Sequence, residues 1–160
     1  MSNAIVSKAL EAIARHVGVE DSPWIPNHLF PGVEFRLLQA DVKRGFHVMA
    51  GRLPGDLGVE IHRHTGPVQM FTLAGAWKYL EHEFVNRAGS YLYEPVDSVH
   101  TFHVLPGDEI TETLSVVHGD TEYLDEDGKV VKRSNAALTL ANYYASCEQA
   151  GVPRSNAILL

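Results

Sequence analysis

The sequence predicts an all-β domain, a small barrel or sandwich with a short helix at each end. Three observations lead there. From Val33 onward, short runs rich in Val, Phe, Leu, Tyr and Thr follow a period of two, the rhythm of half-buried strands. Turn signals separate the runs at roughly ten-residue spacing, as in β-sandwiches and barrels. The two ends of the chain switch instead to a helical period.

Taken in order, residues 4–17 place Ile5, Leu10, Ile13 and Val17 on one helical face, with Gly18 as a stop. The stretch Asp21 to Gly32 carries Pro23, Pro26, Pro31 and Trp24, and reads as an extended arm lying over the domain. Candidate strands follow at 33–41, 45–53, 58–64, 68–74, 76–85, 91–94, 99–105, 109–117, 121–124 and 129–132. Their punctuation is turn chemistry, for example Pro54-Gly55-Asp56, Gly66-Pro67, Pro106-Gly107-Asp108 and Asp127-Gly128. Residues 137–150 are helical again, with Leu138, Ala141 and Tyr144 or Ala145 on one side and Gly151 as the cap. The expected organisation is one domain: an N-terminal helix and arm over 1–32, a barrel over 33–135, and a C-terminal helix and tail over 136–160.

The composition narrows the function. At 160 residues, 45% hydrophobic and 21% charged, the chain suits a single globular domain. No apolar run approaches the ~18 residues of a membrane helix, and no signal-peptide pattern opens the sequence. The single cysteine, Cys147, cannot form an internal disulfide, which fits a cytoplasmic location. A formal net charge of −7 argues against nucleic acid as a partner, and the densest basic run, Lys129 to Arg133, is short.

The chain has nine histidines, so their positions matter. His62 and His64 stand in Glu60-Ile61-His62-Arg63-His64. On a strand, residues i and i+2 share a face about 6.5–7 Å apart. Two imidazoles placed so can lean onto one ion at ~2.0–2.1 Å from each nitrogen. Such a pair also occurs on strand edges without function. The segment Gly89 to His100 adds a short strand, a turn through Pro95, and a histidine at the start of the next strand. His16, His28 and His118 read as helix-end and loop residues, His47 as barrel wall, and His103 as facing away from His100.

These segments resemble the two cupin motifs. The second, Gly-x5-Pro-x-Gly-x2-His, matches Gly89, Pro95 and His100, with Asp97 in place of its second glycine. The first, Gly-x5-His-x-His-x3–4-Glu-x6-Gly, is echoed from Gly55 to Gly75, with its leading glycine one residue further from His62. The resemblance implies a double-stranded β-helix in which His100 faces His62 and His64 across the lumen, the three holding one divalent metal. The motif glutamate is missing, its place falling on Val68 or Gln69. The site is then all-histidine or takes its carboxylate from elsewhere. Glu81, in a strand interior, is the best replacement; Glu60 shares the face of His62, and His82 is an outside candidate.

Further phrases, Trp24-Ile25-Pro26, His62-Arg63-His64-Thr65-Gly66 and Ala76-Trp77-Lys78-Tyr79-Leu80-Glu81 among them, resemble the small cupins that include 2,4'-dihydroxyacetophenone and acetylacetone-cleaving dioxygenases. The resemblance implies an Fe(II) enzyme, with Zn, Ni or Mn as alternative metals. It would cleave a carbon–carbon bond of a small diketone or hydroxyketone with O2. Gln69 would orient a ligand or water, and Glu81 would serve as fourth ligand, supporting partner or base. The alternatives are a zinc-binding regulatory cupin like those of ChrR-type anti-sigma factors, and a sugar-modifying cupin isomerase. Fold analogy suggests a homodimer or homotetramer.

Overall fold

The period-two pattern is realised as two antiparallel sheets that enclose a narrow lumen, in a computed structural model describing residues 14–160. In chain order the strands are β1 (Ile25–Pro26), β2 (Glu34–Asp41), β3 (Phe46–Leu53), β4 (Gly58–His64), β5 (Val68–Ala74), β6 (Ala76–Tyr79) and β7 (Asn86–Arg87). They continue as β8 (Tyr91–Glu94), β9 (Val99–Val104), β10 (Thr111–His118), β11 (Thr121–Leu124), β12 (Val130–Ser134) and β13 (Ile158–Leu159); helix α1 spans Ala136–Ala150. One sheet runs β1-β2-β3-β10-β5-β8, with β13 joined in parallel to β2; the other runs β12-β11-β4-β9-β6-β7. Apart from the two-residue β7, the chain changes sheet at each step from β3 to β11. This is the wrapping of a jelly-roll barrel, as the sequence leads one to expect.

The arm ahead of the barrel is stitched to its edge, because Ile25 and Pro26 pair with Phe35 and Glu34. Ile25, fully buried, joins Phe35, Leu37, Ala40, Tyr143 and Cys147 in the cluster that docks α1 on this sheet. Cys147 is thus a packed apolar side chain. Asn135 caps α1 by accepting from the Leu138 amide, and Gly151 closes it in the left-handed conformation. Of the helix expected over 4–17, residues up to 13 lie outside the described ones, and 14–17 carry no helical structure. Among the described residues no helix is long and apolar enough to cross a membrane.

A second cluster, Trp77, Tyr79, Phe102 and Val104, fills the barrel between β6 and β9. The Trp77 indole donates to the Thr72 hydroxyl at 2.8 Å, so its polar atom is satisfied inside that packing. One expected strand is shorter than its pattern. The run 76–85 stops at Tyr79, and Leu80 to Val85 form a turn and an irregular connection. Leu80, Glu81, His82, Glu83 and Phe84 are all exposed, so no buried face prolongs the strand.

The two motif glycines each answer a steric demand. A side chain at Gly55 would place its Cβ 2.0 Å from the Gly107 carbonyl oxygen. Gly75 turns β5 into β6 at φ +70°, where a Cβ would meet the Thr111 hydroxyl at 2.4 Å. A Gly75→Ala substitution therefore combines strain with a clash against backbone that cannot move freely. Its expected cost exceeds about 2 kcal/mol, read as a lowered midpoint in chemical denaturation.

Candidate metal centre

The site begins with an irregularity in β4. Val59 stands opposite Phe102 of β9, whereas His62 stands opposite His100. One residue on β9, Thr101, is thus matched by two on β4, a β-bulge at Glu60 and Ile61. This extra residue is the one that separates Gly55 from His62 beyond the motif spacing. The bulge also reverses the alternation. Glu60, expected on the His62 face, is exposed, and only its carbonyl oxygen serves the site, accepting from His62 Nδ1 at 2.7 Å. That bond places the proton on Nδ1 and leaves Nε2 of His62 with a free lone pair.

His64, two residues on, is buried on the same face, and its Nδ1 lies 3.1 Å from the Thr121 hydroxyl of β11. His100 opens the inward face of β9. It sits beside His62 on the adjacent strand of the same sheet, so the expectation that it faces the pair across the lumen is corrected to a lateral pairing. The turn before it holds Asp97 at φ +64°, the conformation that the motif glycine would adopt. The Asp97 amide donates to the His64 carbonyl, tying the second motif to the first. The three rings lie 4.7–5.7 Å apart between centroids, and one nitrogen from each falls within 4.8 Å of the others.

The carboxylate that the sequence left unplaced is Glu94. It ends β8, is only 3% exposed, and sends Oε2 to 3.3 Å from His64 Nε2 and 3.1 Å from His100 Nε2. Its other oxygen accepts from the Tyr79 hydroxyl, while the Tyr79 ring stacks on His100 at 4.0 Å. The register explains the substitution. Counting back from Gly75 puts the motif glutamate at Val68, and Val68 of β5 pairs directly with Glu94 of β8. The acid has moved to the neighbouring strand. Sequence reasoning passed over it because Glu94 lies within the second motif, and only the β5–β8 register shows it beside the first.

Glu94 Oε2 and His100 Nε2 are both buried and, beyond their own 3.1 Å approach and the neighbouring His64, have no hydrogen-bond partner. Unpartnered polar atoms that converge so closely are costly unless something lies between them. Two donors held at ~2.1 Å from one ion, at tetrahedral or octahedral angles, lie about 3.0–3.4 Å apart. The three histidine nitrogens converge closely enough to hold a divalent cation, and Glu94 lies beside His64 and His100 at separations compatible with joining them.

Electrostatics prepare the same atoms. Burial pushes the His64 imidazole from 6.5 down to about 4, against the pull of Glu94. Burial likewise lowers His62, partly opposed by its bond to the Glu60 carbonyl. Both rings are therefore neutral and able to donate at pH 7. For Glu94, burial would raise the pKa, but His100, Tyr79 and His64 outweigh it and hold the carboxyl below its ordinary value. Burial, together with Glu94, drives the Tyr79 hydroxyl far upward, so it stays a proton donor.

The structure does not bring Glu81 or Gln69 into this group. Glu81 lies in the exposed turn after β6, where its two oxygens accept from the amide and hydroxyl of Thr101 at 2.9 and 2.7 Å. The acid of this supposed strand interior is thus a clamp on the outside of β9. Gln69 alternates with the lumen residues Val68 and Met70 and pairs with Tyr93 on the outer face. His82 is exposed and stacks on Phe84. His103 faces away from the site, 3.6 Å from Asp56.

Beside the four donors is a lumen of about 240 Å³. Phe35, Met49, Val59, Met70, Phe102 and Val117 give it apolar walls, and His62, His64, Tyr79 and Glu94 line its metal end. His47 lines it from the other sheet, buried, with Nδ1 unpartnered. Burial, with a smaller contribution from His118, brings its pKa down to about 4.

A jelly-roll barrel with a buried histidine cluster of this kind is a cupin. Residues 14–122 match the family described as the ChrR cupin-like domain, and the chain belongs to that family. Two solved structures from Ralstonia eutropha JMP134, an RmlC-like cupin and a cupin-like protein of unknown function, are each 26% identical, with TM-scores of 0.82 and 0.81. Each comparison covers 92% of this chain and 96% of the other. An acetylacetone dioxygenase from Acinetobacter johnsonii shares the fold at 18% identity and a TM-score of 0.70, over 84% of this chain and 93% of that one. No curated protein matches the chain.

Two outcomes follow. His62→Ala and His100→Ala abolish stoichiometric metal binding, Glu94→Gln weakens it about 10–100-fold, and Glu81→Gln and Gln69→Ala leave it unchanged, as measured by metal analysis after dialysis. For the metal-free protein, His47 and His64 titrate at about 4 when folded against 6.5 when unfolded. The unfolded chain binds more protons between those values, so stability is complete above pH 6.5 and is lost as pH falls towards 4. Thermal unfolding across that window shows a falling Tm, and His47→Gln makes the fall shallower.

Proposed function

We propose that the protein is a metal-dependent dioxygenase that binds a small diketone or hydroxyketone as its chelating enolate and cleaves a carbon–carbon bond. The observation that carries this reading is the placement of the four donors at the edge of an apolar lumen large enough for a small organic molecule. A purely structural metal would need no such space beside it. When bound, Fe(II) would supply Lewis acidity and the electrons that let O2 react with the enolate.

The residues' own contributions can be stated from the geometry. His62, His64 and His100 offer three ring nitrogens, and Glu94 contributes one negative charge. A divalent ion then retains one uncompensated positive charge in a buried place, which favours a monoanionic enolate over a neutral ketone. Of the two alternatives left open by the missing motif glutamate, this takes the carboxylate from elsewhere, with Glu94 in the place expected of Glu81. Tyr79 fixes the Glu94 carboxylate by its hydroxyl and His100 by its ring. Phe102, Met70 and Val59 keep water from the substrate's carbon skeleton.

A second reading is favoured by the family match: the same four donors would hold zinc in a regulatory domain of the ChrR kind. Anaerobic loading with Fe(II), followed by oxygen-electrode assays with acetylacetone and 2,4'-dihydroxyacetophenone, separates the two. The dioxygenase reading expects one O2 consumed per substrate cleaved, since both oxygen atoms enter the two fragments. Zinc at full occupancy in the purified protein, with no oxygen uptake after iron loading, establishes the regulatory reading instead.

A further inference from the structure

A second cavity, of about 370 Å³, lies next to the lumen, between the arm and α1. Phe30, Tyr123, Ser134, Thr139 and Asn142 wall both spaces, so the two cavities adjoin, and the outer one is termed the vestibule. In a chain of net charge −7, its lining is exceptional. Lys132 and Arg133 contribute to it, and no aspartate or glutamate does. Arg133 is already committed to Glu122 at 2.9 Å. Among the described residues Lys132 has no carboxylate within 4.0 Å.

Lys132 is an exposed residue whose ammonium leans on two rings. Its Nζ lies 4.8 Å from the Tyr123 ring centre and 5.4 Å from that of Phe30. Cation–π contacts of this kind orient an ammonium without neutralising it. The Tyr123 ring in turn stands 5.8 Å from the His62 ring. A single aromatic residue therefore spans from the free cation to the metal donors. Helix α1 begins at this wall with no acidic residue in its first turn, which adds a weakly positive end to the same space.

We propose that the vestibule binds a carboxylate on the substrate, with Lys132 as its counter-ion while the dicarbonyl end occupies the lumen. The substrate class is then a dioxo or hydroxyoxo acid whose carboxylate is separated from the chelating oxygens by a short chain. The inference rests on the enolate-chelating reading above for the position of the dicarbonyl end. Lys132 acts here as a specificity residue, outside the donor set.

The test compares two probes of equal length, heptane-2,4-dione and 4,6-dioxoheptanoate, in which a terminal methyl is replaced by a carboxylate. Both are titrated into protein loaded with Zn(II), which cannot turn them over, and enolate absorbance reports binding. The expected result is about tenfold tighter binding of the anionic probe, the worth of one charge-assisted contact at a partly exposed site. Lys132→Met levels that preference, Lys132→Glu reverses it, and raising the salt concentration shrinks it. Equal binding of the two probes by the unaltered protein, or a preference that survives Lys132→Met, overturns the proposal and leaves the metal reading standing. If neither diketone binds, the chelation reading fails, and glutarate titrated into the same protein decides the vestibule. Saturable amide shifts at Ser134 that vanish in Lys132→Met support the anion site, and their absence overturns it.

Discussion

Three imidazoles and one carboxylate face one another inside the barrel, and much of the structure serves to hold them there. Three of them are satisfied on the outer side, His62 by the Glu60 carbonyl, His64 by Thr121 and Glu94 by Tyr79, while the His100 ring stacks on Tyr79. On the inner side Glu94 Oε2 and His100 Nε2 have only each other and His64 for company. Leaving a buried anion unpaired costs several kcal/mol, and burial has already made the flanking histidines reluctant to take protons. A divalent cation answers both problems, since it neutralises the carboxylate and uses the lone pairs that burial keeps free.

Local backbone features place these groups. The bulge in β4 absorbs one extra residue and still delivers His62 opposite His100. The left-handed turn at Asp97 starts β9 at the register that His100 needs and bonds back to the end of β4. The close approach at Gly55 and the sharp corner at Gly75 let the strands on either side of the pair change sheets without side-chain interference. Behind them the Trp77 and Phe102 stack packs the barrel beyond Tyr79.

Much of this was legible in the sequence. Alternation and turn residues gave nearly every strand, and the two histidine motifs brought together His62, His64 and His100, which the fold does place side by side. What stayed illegible depended on register and on strand ends. Glu81 reads as a strand acid only if β6 continues past Tyr79, and nothing in Leu80-Glu81-His82 marks the stop. Glu60 shares a face with His62 only in an unbulged strand. Glu94 reaches the site through the pairing of β5 with β8, a contact between residues far apart in sequence that no local spacing reports. The vestibule was hidden for the same reason, because it joins the arm, β12 and α1.

The central claim is the composition of the donor set, and X-ray absorption spectroscopy of the Zn(II)-loaded protein tests it most directly. The proposed first coordination shell has three imidazole nitrogens and one carboxylate oxygen at ~2.0–2.2 Å, with the oxygen contribution lost in Glu94→Gln. A shell with fewer than three imidazoles, or one unaltered by Glu94→Gln, would contradict it.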